Sequence, residues 1–263
     1  MKRNTRRIDR KRITLPFLHT VVLLSAFMAV GFVSDAYPAS SDGLKIIVYG
    51  ATGRVGSRVV NEALERGHDV TAVSRDPSQI KEQHASLSTA KGDILDRQSV
   101  AELVMGQDVV VVSVRGSVAG SKDPENTVHR MAADILVDVL RDMGDSAPRL
   151  IYVGGAGSLE VEPGVLYADK LPIFMPRFIR QEIEGHLLTL EFLRAADEVR
   201  WTYISPAKKF KPGKRTGVYR IGGDQMLLDK KGKSKISMED FAVALVDEAE
   251  NSAHVRERFS VAY

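Results

Sequence analysis

The 263-residue chain contains no cysteine. That excludes a disulfide framework, a thiolate metal site and a thiol nucleophile. Aromatic residues are few, 6% of the total with a single tryptophan, so no aromatic-rich surface for stacking bases is available. There is little excess charge: 37 Lys and Arg stand against 34 Asp and Glu, and the balance is +3. Seven of the basic residues and two of the acidic ones precede Tyr37, which leaves 30 against 32 in the remainder. The basic pI of about 9.0 therefore belongs to the N-terminal segment, and no nucleic-acid partner is expected. Internal repeats and low-complexity tracts are also missing, and no metal-ligand set is read from the spacing.

The N-terminal segment has an order of its own. Lys2, Arg3, Arg6, Arg7, Arg10, Lys11 and Arg12 precede an uncharged, largely apolar run from Ile13 to Val33, and Ser34-Asp35-Ala36 follows. Basic region, apolar region and small-residue site are the parts of an export signal. The run is also long enough to span a bilayer, so a cleaved signal and an uncleaved anchor are both open readings. In either case the positive-inside rule places the rest of the chain outside the cytoplasm. The expected organisation is a signal or anchor over 1–36, a linker over 37–43 and one domain over 44–263. Thr5-Arg6-Arg7 with Lys11 partly matches a twin-arginine signal, although Asp9 and Arg10 stand where apolar residues are expected.

The domain opens on its most informative stretch. Ile46 to Tyr49 reads as a short buried strand and runs into Gly50-Ala51-Thr52-Gly53-Arg54-Val55-Gly56. An amphipathic helix follows, with Val55, Val59, Ala63 and Leu64 on one face. Strand, glycine turn and helix form the context in which such a motif binds a dinucleotide. The glycines permit the tight turn and the close approach of backbone N–H groups to a pyrophosphate, and the helix N-terminus adds a partial positive charge. Gly50, Thr52, Gly53, Arg54, Val55 and Gly56 are the candidate phosphate residues.

Further elements supply further candidates. A second strand, Asp69 to Val73, ends at Ser74-Arg75-Asp76-Pro77, where a ribose-reading residue is expected. Arg75 can pair with a 2′-phosphate, which favours NADP(H); Asp76 leaves NAD(H) open. After a third strand at Leu87 to Lys91, Asp93 and Ile94 are candidates for the adenine end, and Asp96 for a helix cap. Asp108 to Val114 is a continuous apolar strand, as in a parallel sheet covered on both faces; it carries Ser113 near its end and leads into the loop Arg115-Gly116-Ser117, with Ser113 and Arg115 as candidates. The helix from Thr127 to Met143 is expected to turn Val128, Met131, Ile135, Leu136, Val139 and Leu140 inward. The strand Leu150 to Val153 ends in Gly154-Gly155-Ala156-Gly157-Ser158, small residues that either leave room for a flat ring or form a flexible turn. An irregular stretch, Leu159 to Pro176, is long enough to cover a substrate, and a helix with Ile183, Leu187, Leu190 and Leu193 inward follows. Beyond the strand Trp201 to Ile204, residues 217–221 and 226–228 read as a small hairpin. Ser237-x-x-Asp240 opens the last helix, and Arg258 to Tyr263 reads as a final strand. The alternation of strands and helices predicts an α/β, doubly wound parallel sheet, Rossmann-like, in a single domain.

Taken together, G-A-T-G-R-V-G, V-S-R-D, G-D-I-L-D, G-G-A-G-S, W-T-Y-I-S-P-A and P-G-x-x-T-G-x-Y resemble the atypical short-chain dehydrogenase/reductase group. Within it the chain is most similar to the NmrA-like NAD(P)H-binding proteins described as NADH-flavin reductases and related to the biliverdin reductase B type. The resemblance covers about Leu44 to Tyr263 and implies a nicotinamide cofactor, a small-molecule acceptor such as flavin, and a functional serine after the fifth strand, carried onto Ser158. One departure bears on the reaction. The residues four after Tyr49, Tyr152, Tyr167, Tyr203 and Tyr219 are Gly53, Ala156, Leu171, Ala207 and Gly223, so the Tyr-x-x-x-Lys pair of alcohol-oxidising relatives is lacking. Direct hydride transfer to a planar acceptor needs mainly proximity and orientation, and remains compatible with these residues. A protein that binds or senses the nucleotide without turnover is the alternative.

Overall fold

The computed structural model describes residues 43–118 and 120–263. The expected signal or anchor, and all but Gly43 of the linker, lie outside the described residues. Among the described residues no helix is long and apolar enough to cross a membrane.

Strand β1 (Lys45–Tyr49) leads into helix α1 (Gly56–Glu65), and β2 (Asp69–Ser74) and β3 (Leu87–Lys91) follow. Helix α2 (Arg97–Val104) precedes β4 (Val109–Val112), α3 (Val128–Met143) precedes β5 (Arg149–Val153), and two short strands, β6 (Glu160–Glu162) and β7 (Val165–Leu166), pair with each other. Helix α4 (Arg177–Arg194) precedes β8 (Trp201–Pro206). The chain ends with β9 (Lys209–Lys211), β10 (Arg220–Gly222), β11 (Lys235–Ser237), α5 (Met238–Asn251) and β12 (Glu257–Ala262).

The main sheet has the order β10-β12-β8-β5-β4-β1-β2-β3. All neighbours are parallel except β10, which runs antiparallel along β12. This is the doubly wound, Rossmann-like sheet expected. Its two faces are covered by different helices because side chains alternate along a strand. In β4, Val109 and Val111 join α1 and α5 in one apolar cluster, and Val110 and Val112 join α2, α3 and α4 in the other. All four are buried, which is why this strand reads as an unbroken apolar run.

Local signals hold at several ends. Asp96 caps α2 by accepting from the N–H groups of Gln98 and Ser99, and Ser237 caps α5 through the N–H of Asp240. Gly67, just past α1, has φ +82°, which a side chain rarely adopts. Three expectations are corrected. Residues 226–228 do not pair with 217–221; β10 instead runs antiparallel along β12 and takes up the backbone groups on that strand's outer side, at the edge of the main sheet. The inward face of α3 is His129, Ala132, Ala133, Leu136, Val137, Val139 and Leu140, while Val128, Met131 and Ile135 lie at its margin. The alanines let the helix approach the sheet closely. In α4, Gln181, Gly185 and Thr189 are buried with Leu190 and Leu193, whereas Ile183 and Leu187 are partly exposed.

Candidate functional site

Strand order locates the site. Strand β1 is flanked by β4 on one side and β2 on the other, so the connections leave in opposite directions and open a crevice beyond the carboxyl ends of β1 and β4. The glycine turn fills one wall of it. Gly50 has φ +82°, and a Cβ there would stand 2.3 Å from the Ser113 carbonyl oxygen. A Cβ on Gly56 would stand 2.1 Å from the Gly50 carbonyl oxygen. Only glycine allows the turn to fold back on itself and against the β4 loop.

The turn leaves donors free. Helix α1 has no side-chain cap, and its N-cap is Val55. Gly53 N–H donates to Gly50 O and Ser57 N–H to Gly53 O, but among the described residues the N–H groups of Thr52, Arg54 and Val55 have no partner. Unpaired N–H groups at a helix N-terminus suit a pyrophosphate. Arg54 and Arg75 are exposed, and among the described residues their guanidinium groups make no ion pair. Asp76 is occupied differently. It accepts from Ser78 N, Ser78 Oγ (2.7 Å) and Gln79 Nε2 (3.0 Å), hydrogen bonds that hold its carboxyl below the usual range. Of the two candidates for reading the ribose, Arg75 is the unencumbered one.

The remaining expected residues divide. Asp93 is exposed and accepts from Leu95 N–H (3.0 Å). Ile94 is 6% exposed and belongs to the core with Val73 and Val100, so its side chain does not line the crevice. Ser113 and Arg115 stand at the end of β4, and Gly154 and Gly155 at the end of β5. Gly154 is needed for packing, because a Cβ would stand 2.1 Å from the Tyr203 ring. Ser158, the catalytic candidate after β5, is buried in its own turn. It is 3% exposed, its hydroxyl donates to Gly155 O (3.2 Å) within its own turn, and its carbonyl accepts from Arg258 (3.0 Å).

A cluster not anticipated from the sequence closes the far end of the crevice. His129 from α3 and His186 from α4 stack with ring centroids 3.9 Å apart and planes 12° apart. Glu182, one helical turn before His186, accepts from Gly116 N–H through Oε1 (2.7 Å), and its Oε2 stands 3.8 Å from His129 Nδ1. Tyr203 Oη donates to His186 O (3.0 Å), lies 3.3 Å from His186 Nδ1, and accepts from Gly155 N–H at 3.4 Å. His129 is fully buried and neither ring nitrogen has a hydrogen-bond partner. Burial, with the neighbouring His186 ring, lowers its pKa to about 2. Burial also lowers His186 to about 4 and raises Glu182, against the opposing pull of Gly116 N–H and Arg115. The Glu-x-x-x-His spacing was legible in the sequence; the partner from α3 was not.

The three side chains bring their ligating atoms within 4.8 Å of one another. The stack nevertheless makes a poor metal site: the lone pairs of near-parallel rings lie in separate planes and cannot both point at one ion at about 2.0–2.1 Å. A cavity of about 400 Å³ lies elsewhere, lined by Arg58, Glu62, Arg215 and Glu239 among others, and its charges pair with each other.

Comparison with known proteins agrees with this geometry. Residues 50–252 match the model of a family described as NAD(P)H-binding. The chain belongs to this NAD(P)H-binding family. It is 36% identical over 220 residues to YwnB of Bacillus subtilis, covering 83% of this chain and 98% of that one. A structure of a proposed NADH-flavin reductase from Streptococcus pneumoniae TIGR4 superposes with a TM-score of 0.69 at 30% identity, over 84% of this chain and 99% of that one. A proposed exported protein of Burkholderia pseudomallei superposes at 0.70 and 36%, over 84% of this chain and all of the other. The bifunctional dihydroflavonol 4-reductase/flavanone 4-reductase of Malus domestica is 28% identical over 175 residues, 62% of this chain and 47% of its own length. This family member thus has an oxidoreductase-type fold with a nicotinamide cofactor site, and the glycine turn of α1 is the part that fits the cofactor's phosphates.

Proposed function

We propose that this chain is an NAD(P)H-dependent reductase, preferring NADPH, that reduces flavin or a similar planar acceptor by direct hydride transfer. The observation that carries the reading is the glycine turn between β1 and α1, at the switch point of the sheet, with unpaired N–H groups at an uncapped helix N-terminus. When bound, the nicotinamide supplies the hydride. The chain's own residues bind and orient. Thr52, Gly53, Arg54, Val55 and Gly56 hold the pyrophosphate; Arg75 takes a 2′-phosphate, with Asp76 held in its local turn. Asp93 and the backbone at Ile94 flank the adenine side, Ser113 and Arg115 the central part, and the backbone of Gly154 and Gly155 the nicotinamide end, where Tyr203 and His186 occupy the places a Cβ would take. The reductase names of the Streptococcus and Malus relatives support this class of reaction. The leader pattern, and the name of the Burkholderia relative, support an exported protein held at the membrane, if at all, by residues 13–33.

The test is a fluorescence titration of NADPH and NADH on residues 37–263, beside steady-state NADPH oxidation with and without FMN. A charge-assisted hydrogen bond is worth about 1.5–3 kcal/mol, or roughly ten- to a hundredfold in affinity. Arg75→Asp is expected to remove an NADPH preference of that size. An unchanged preference overturns the role of Arg75. The Ser158 hydroxyl held in its own turn, with no Tyr-x-x-x-Lys pair, favours a second reading, a non-catalytic NADP(H)-binding or sensing protein. It predicts tight binding without turnover on any acceptor.

A further inference from the structure

We propose that Glu182 is the proton donor of this site, protonating the planar acceptor as it takes up hydride. The inference rests on the reductase reading and names a residue that it leaves open.

Position comes first. Glu182 reaches from α4 to the loop after β4, and His186, one turn on, packs beside Gly155 after β5. The pair therefore spans the ends of two adjacent strands, at the end of the crevice away from the glycine turn. The two carboxylate oxygens differ. Oε1 is fixed by Gly116 N–H at 2.7 Å. Oε2 makes no hydrogen bond among the described residues, and at 3.8 Å from His129 Nδ1 it is too distant to share a proton with that ring. One oxygen is anchored, and the other is free to carry a proton. Glu182 keeps 28% of its side chain exposed, so it can be reprotonated from solvent.

The surroundings favour the neutral acid. The buried His129 and the half-buried His186 are both neutral rings near pH 7 and supply no positive charge to hold a carboxylate. Arg115 is the cation that opposes, with the Gly116 N–H. A carboxyl whose pKa is raised by burial holds its proton to higher pH than an ordinary glutamate, which suits general acid catalysis. Phe178, 69% exposed, lies one turn before Glu182 on the same helix, an apolar surface for a flat acceptor.

The step balances. With a quinone as the probe acceptor, hydride from NAD(P)H adds to the electrophilic end of the conjugated system, and the π-electron pair moves to the carbonyl oxygen. That oxygen takes the proton of Glu182, leaving a carboxylate and NAD(P)⁺, and water restores the acid.

Glu182→Gln tests this, because the amide oxygen can still accept from Gly116 N–H. Infrared difference spectra of wild type against E182Q, near pH 7 and without cofactor, are expected to show a protonated-carboxyl band that shifts in D₂O. With NADPH and a quinone, kcat is expected to fall by about 10²–10⁴, with the Kd for NADPH within roughly twofold and the alkaline limb of the pH–rate profile lost. Absence of the band overturns the proposal whether or not the protein turns over. A wild type that reduces quinone beside an E182Q that keeps its rate overturns Glu182 alone. A wild type that binds NADPH and reduces nothing overturns the reductase reading, and this assignment with it.

Discussion

Replacing His129 by Leu should make the protein more stable at pH 5 and flatten its pH dependence. The ring is fully buried with both nitrogens unpartnered, so the native state holds it neutral down to about pH 2. In the unfolded chain it takes up a proton as the pH falls through its ordinary 6.5. A depressed folded pKa means stability that is full above about pH 6.5 and declines as the pH drops towards the folded value. Linkage gives about 2 kcal/mol lost between pH 8 and pH 5. His186, lowered to about 4, adds a term of the same sign, discounted to roughly 1 kcal/mol because the residue is only half-buried. Glu182 acts in the opposite sense: its raised pKa contributes stability that is present at low pH and lost as the pH rises through the folded value. Leucine is close to histidine in volume and needs no hydrogen bond, so H129L also removes the cost of burying ring nitrogens without a well-formed hydrogen bond, about 1–3 kcal/mol. Urea unfolding at pH 8, 6.5 and 5 measures this. The window stops at pH 5 because Glu62, Glu239 and Asp240, whose pKa values are lowered, begin to matter below it. A wild type with no loss of stability from pH 8 to 5, or an H129L with the wild-type slope, refutes the reasoning.

Other expectations follow from single contacts. Gly56→Ala puts a Cβ 2.1 Å from Gly50 O and should weaken NADPH binding at least roughly tenfold, about 1.4 kcal/mol. Gly67→Ala, at φ +82° with open space, should cost about 1 kcal/mol or more of stability and leave binding unchanged in the same titration. Glu248→Leu strands the buried Arg149, which pairs with Glu248 at 2.7 Å, and should cost about 3–5 kcal/mol in urea unfolding. Adding Arg149→Met to that variant should recover much of the loss. Asp96→Ala removes the cap of α2 and should cost about 1 kcal/mol, a fall in Tm of about 2–4 °C.

The elements legible in the sequence are those whose signals lie within a few residues. Ile46 to Tyr49 and its glycine turn, the unbroken valines of β4, and the caps Asp96 and Ser237 each follow from local hydrogen bonding or from a strand buried on both faces. The cofactor end of the site was therefore readable, because one strand, one turn and one helix build it. The other end depends on which elements become neighbours. His129 meets His186 and Glu182 only because α3 and α4 share one face of the sheet, and burial then sets their protonation. Ser158 stands at the expected place after β5, with its hydroxyl turned back to Gly155, an orientation set by the local turn. Strand β10 found its partner in β12, at the far edge of the sheet, and not in the segment next to it. Sequence alone determined the glycine turn and the fold class, since both rest on short-range geometry and periodicity. Tertiary structure decided the histidine–glutamate cluster, since desolvation and long-range contact leave no local pattern in the chain.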